Sequence, residues 1–65
     1  MTFAEKLLFV RAELNISQTQ LAEQLGVAFT TINRWENSKV KPTRKAEIQF
    51  ENFCKKNAIV FKEEN

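Results

Sequence analysis

No histidine, tyrosine or aspartate occurs in these 65 residues, and glycine, proline, cysteine and tryptophan occur once each. Without histidine or aspartate, acid–base chemistry would fall to glutamate and lysine, so the chain is not expected to be an enzyme. A single glycine cannot build a glycine-rich loop that cradles phosphates. A single cysteine, Cys54, closes no internal disulfide and completes no zinc site. No metal or other cofactor is therefore expected, and the reducing cytoplasm is the simplest compartment. No apolar run approaches the roughly 20 residues of a membrane span. The opening "MTFAEKLLFVRAEL" is interrupted by Glu5, Lys6 and Arg11, which a signal peptide would not tolerate.

What is present suits a small helical globule. The chain is 43% hydrophobic and 28% charged, which is too apolar for a disordered tail. Its length allows one domain with a small core. "TFAE" and "SQTQ" are capping boxes, in which a hydroxyl accepts from an amide three residues on and that residue's side chain reaches back. They predict helices opening after Thr2 and at Ser17. The first carries Phe3, Leu7, Val10 or Arg11, and Leu14 at helical spacing and fades near Asn15. The second carries Leu21, Ala22 and Leu25 and stops at Gly26, where a left-handed residue needs no Cβ. A third helix restarts after Ala28, a poor cap, with Ile32 and Trp35 inward. A fourth runs from Thr43 or Arg44 to about Lys56, with Ala46, Phe50, Phe53 and Cys54 on one face and Ile48 off it. Ile59, Val60 and Phe61 predict a short C-terminal strand. The expected architecture is all-α, with residues 1–57 as the domain and 58–65 as a tail.

The charge is uneven. Residues 33–45 hold Arg34, Lys39, Lys41, Arg44 and Lys45 against Glu36 alone, a net +4, while the segments on either side are each −1. A local anion site is one reading and a solvated basic loop is the other. The spacing of Leu21, small Ala22, Leu25, Gly26, Val27, Ile32 and Trp35 suits two helices packed steeply over a tight turn.

"SQTQLAEQLGVAFTTINRWENSKVKP" resembles the Cro/repressor-type (XRE) helix-turn-helix DNA-binding domains, and the likeness extends over about Phe3 to Phe53. The resemblance implies a compact lambda-repressor-like bundle of four or five helices. Its helix-turn-helix would span about 17–37, and helix 3 would enter the major groove. It implies a sequence-specific, double-stranded DNA-binding transcription regulator, a repressor of phage or bacterial type, acting as a homodimer on an inverted-repeat operator. Two departures stand out. Ala28 replaces the usual Ser or Thr cap, and Ser38 replaces a frequent glycine, so the loop after helix 3 is expected to change.

By the same resemblance, Phe29, Thr30 and Arg34 match base-contacting positions, and Asn33, on the same face, is expected to contact bases with them. Arginine suits guanine O6 and N7, and an apolar ring suits a thymine methyl; partial burial is the plainer reading for Phe29. Gln18 matches a phosphate-contacting position, through its side chain or its amide, at a helix start where anions are favoured. A plain surface glutamine is the alternative. Asn37 and Lys39 also match backbone-contacting positions, while Lys41 and Arg44 join them on charge alone. Arg11 and Glu36 match a structural ion pair fixing helix 3 against helix 1. Trp35 and Cys54 are expected in the core. Leu8, Phe9, Ile48 and Ile59 to Phe61 exceed what a four-helix core needs; either the tail folds back over them or they form a dimer contact. The other functional readings are an antitoxin, a protein-interaction module, or a targeting domain of a larger protein.

Overall fold

Helices form on apolar stripes, three of them opened by a hydroxyl cap. The computed structural model describes residues 1–61 and shows four of them: α1 Phe3–Leu14, α2 Gln18–Leu25, α3 Phe29–Glu36 and α4 Arg44–Lys56. Thr2 Oγ1 accepts from the Glu5 amide at 3.1 Å while Glu5 Oε1 accepts from the Thr2 amide at 2.8 Å. Ser17 and Gln20 repeat the exchange at 3.0 and 2.9 Å. Thr43 Oγ1 accepts from the Ala46 amide at 3.1 Å and starts α4. Only α3 lacks a side-chain cap, because Ala28 has no oxygen to offer.

All four helices end in the same way. Asn15, Gly26, Ser38 and Ala58 have φ of 54°, 71°, 56° and 56°. The amide that follows each reaches back to the last turn: Ile16 to Arg11 O (3.0 Å), Val27 to Ala22 O (3.0 Å), Lys39 to Arg34 O (3.0 Å) and Ile59 to Cys54 O (2.9 Å). Each is a left-handed termination with a six-to-one hydrogen bond that satisfies a carbonyl the helix leaves orphaned. Ser38 thus occupies the conformation that a glycine would take, and the loop after α3 keeps that shape.

The buried cluster draws on every helix: Leu7 and Val10 from α1, Leu21 and Ala22 from α2, Ile32 and Trp35 from α3, and Phe50, Phe53 and Cys54 from α4. The α3 helix packs against both α1 and α2, and α4 meets α2. Phe3 bridges two helices, edge-on to Trp35 (centroids 5.3 Å) and to Phe50 (5.1 Å). Such pairs contribute roughly 1 kcal/mol each beyond their burial.

The tail departs from expectation. Ile59, Val60 and Phe61 form no strand, and no strand occurs among the described residues. The left-handed Ala58 redirects the chain, with no neighbouring strand to pair with. Ile59 and Phe61 then pack on the core, Phe61 lying 5.4 Å from Phe9 and 6.2 Å from Phe50 between centroids. The surplus apolar residues are thus covered in part by fold-back, while Leu8, Ile48 and Val60 remain exposed. Residues 62–65, the end of the expected tail, lie outside the described residues.

Candidate nucleic-acid interface

The α3 helix has two unlike sides. Ile32 and Trp35 are buried, at 0% and 7% exposure. Thr30 and Arg34 lie on the opposite side and are exposed, and Phe29, at the first position of the helix and on the edge between the two sides, is 48% exposed. One helical turn separates Thr30 from Arg34, so the two side chains rise one above the other. None of the three donates to or accepts from another side chain among the described residues.

Asn37, Lys39, Lys41 and Arg44 follow on the loop and the first turn of α4, all exposed. The cations of this stretch, Arg34, Lys39, Lys41, Arg44 and Lys45, have no carboxylate partner among the described residues. Their charge is unspent among the described residues and available to an anion. At the start of α2, the amides of Gln18 and Thr19 donate to no protein oxygen among the described residues, which leaves the positive end of that helix open.

Arg11 is the contrasting cation. Its Nε donates to Glu36 Oε2 at 2.8 Å and its Nη2 to Glu36 Oε1 at 3.0 Å, a two-pronged pair. The Glu36 side chain is 6% exposed and that of Arg11 25%. The pair ties the last residue of α3 to α1 and so fixes the angle at which α3 is presented.

A helix-turn-helix family model matches residues 7–54, which hold α2, its turn and α3 together with parts of α1 and α4. The chain belongs to the XRE-type helix-turn-helix family. Among curated proteins, the HTH-type transcriptional activator BcrR of Enterococcus faecalis is 50% identical over 42 residues, 65% of this chain and 21% of that protein. The chain therefore spans about a fifth of that relative's length. No solved structure matches it. Within this helix-turn-helix, α2 is the supporting helix and α3 the projecting one. No helix among the described residues is long and apolar enough to cross a membrane.

One part of the site escaped sequence reasoning. The Glu36 carboxylate takes a third hydrogen bond, from Gln18 Nε2 at 2.8 Å. Gln18 Oε1 faces Asn33 Nδ2 at 3.5 Å, and Asn37 Nδ2 donates to Asn33 Oδ1 (3.2 Å) and Asn33 O (2.8 Å). Five side chains therefore run in one chain: Arg11, Glu36, Gln18, Asn33, Asn37. The four-residue step from Asn33 to Asn37 was a visible signal. The long reach from Gln18 to Glu36 left no trace in the spacing.

Proposed function

We propose that this chain is a non-enzymatic, sequence-specific double-stranded DNA-binding transcription regulator that reads the major groove with α3. The observation that carries this reading is the bare face of α3, Phe29, Thr30 and Arg34, set beside four more cations, Lys39, Lys41, Arg44 and Lys45, that like Arg34 have no carboxylate partner among the described residues. Arg34 is suited to donate two hydrogen bonds to guanine, and the Phe29 ring to cover a thymine methyl. The main-chain amide of Gln18, together with Lys39, Lys41 and Arg44, holds the phosphates, and Asn37, whose Nδ2 is spent on Asn33, lies beside them; such contacts set position and affinity, and the α3 side chains choose the sequence. Two copies on an inverted repeat would place their α3 helices about one DNA turn apart, and exposed Leu8, Ile48 and Val60 are apolar surface from which they could pair.

Repression by occupancy needs nothing beyond these residues, since a protein seated across a promoter excludes polymerase. The name of the BcrR relative favours activation as the second reading. A reporter with the bound site overlapping the promoter, against one with the site upstream, separates the two.

The test is selection of duplexes from random DNA, followed by binding over a salt series. Lys39, Lys41 and Arg44 predict a slope of log affinity against log salt of about −3 per protomer. A selected site with two-fold symmetry supports the dimer. A flat salt response with no preferred sequence overturns the reading.

A further inference from the structure

Asn33 stands among the groove-facing residues in sequence, and asparagine is well suited to adenine, accepting from N6 and donating to N7 at once. That use requires both ends of its amide. Here each end already has a partner inside the protein, Oδ1 accepting from Asn37 Nδ2 at 3.2 Å and Nδ2 reaching Gln18 Oε1 at 3.5 Å; each end keeps one further site, but these partners fix the plane in which the amide lies. Asn33 is also only half-exposed, while Phe29, Thr30 and Arg34 are open to solvent. Gln18 cannot easily turn away, because its Nε2 is held at 2.8 Å by the Glu36 carboxylate, itself clamped twice by Arg11.

We infer that Asn33 and Gln18 are positioning residues rather than readers of DNA. Their side chains transmit the Arg11–Glu36 anchor to the outer face of α3 and on to Asn37, and they hold Phe29, Thr30 and Arg34 at one fixed height above the groove. Sequence choice is then confined to those three residues. The phosphate contact at the start of α2 falls to the Gln18 main-chain amide, which has no protein acceptor, and not to the side chain. This inference rests on the DNA-binding reading above and assigns specificity within it.

The experiment compares Asn33→Ala, Gln18→Ala and the double variant on the preferred duplex and on every single-base-pair substitution of it. Arg34→Ala is the reader control, and each variant's thermal midpoint is recorded. Each single variant is expected to weaken all duplexes by one common factor, about threefold to tenfold for a lost internal hydrogen bond, with the preferred bases unchanged. The double variant is expected to be no weaker than either single one, because both break the same chain. Arg34→Ala should instead abolish discrimination at its own base pair. Asn33→Gln, which keeps both amide ends, should recover part of the affinity.

Loss of discrimination at a single base pair in Asn33→Ala overturns the inference. So do losses that multiply in the double variant, and so do lowered thermal midpoints with unchanged affinity of the folded protein. Failure of the unaltered protein to bind any duplex is a different result, since it removes the DNA-binding reading before the variants are compared.

Discussion

At the scale of single residues, the four left-handed positions divide by chemistry. Gly26 has no atom within 4 Å of where a Cβ would sit, so Gly26→Ala meets no neighbour and is strained only through its φ of 71°. The expected loss is about 1–2 kcal/mol, read as a lower urea midpoint. Ser38 and Ala58 already bear that strain, at φ 56° each. Ser38→Gly and Ala58→Gly should each stabilise the fold by about 1 kcal/mol, with a melting point raised by roughly 4–8 °C in a domain of this size. Cys54, only 4% exposed, is a core atom whose chemistry is suppressed. Burial pushes its thiol pKa above the ordinary value, Lys6 opposes the shift and Glu51 adds to it. The folded thiol therefore keeps its proton at a pH where an unfolded one has lost it. Its contribution to stability is complete below the ordinary thiol value and declines as pH rises from there through the folded value. As pH rises above the ordinary thiol value of about 8.5, urea midpoints should fall more steeply for the native chain than for Cys54→Ala. Alkylation by iodoacetamide at neutral pH should stay slow until the protein is unfolded.

At the scale of elements, α3 is the helix with a missing part. Ala28 holds φ −74° and ψ 151°, the extended geometry of a cap, but offers no oxygen. Ala28→Ser is expected to add about 1 kcal/mol, checked by denaturant unfolding. The opposite end of α3 is held by Glu36. Glu36→Ala leaves the Arg11 guanidinium without its partner in a half-buried site and should cost about 3 kcal/mol. Arg11→Met combined with Glu36→Leu should restore most of that stability, because both charges leave together. Much of this was legible in the sequence. The two capping boxes, Gly26, and the inward Ile32 and Trp35 are local signals, set by spacings of three or four residues. The terminations at Ser38 and Ala58 were not legible, since neither residue prefers a left-handed backbone and tertiary packing imposes it. The expected strand at Ile59 to Phe61 misled because β-branched and aromatic residues suit any half-buried surface, and here that surface is Phe9 and Phe50. The ties from Gln18 to Glu36 and from Gln18 to Asn33 depend on where two helices meet, which periodicity within one helix does not encode.

At the scale of the whole molecule, charge is separated by role. Arg11 ties two helices together and Lys6 lies over the Phe61 ring, 5.4 Å from its centroid, while the cations from Arg34 to Lys45 have no carboxylate partner among the described residues. The chain has no histidine, the side chain whose ordinary titration falls between pH 5 and 8. DNA affinity at constant salt is therefore expected to stay flat between about pH 6 and 8, while it falls steeply with added salt. A titration of affinity against both variables checks this, and a marked pH response would place an ionising group in the interface. Trp35 has a practical consequence at the same scale. It is the sole tryptophan, it lies edge-on to Phe3, and its helix carries the exposed side chains of Thr30 and Arg34 on its other flank. Its emission is thus an intrinsic gauge of how α3 is seated: blue while the indole is dry, red-shifted once water reaches it. Without any attached dye, that colour distinguishes a molecule whose projecting helix has lifted away from one that has merely released its ligand.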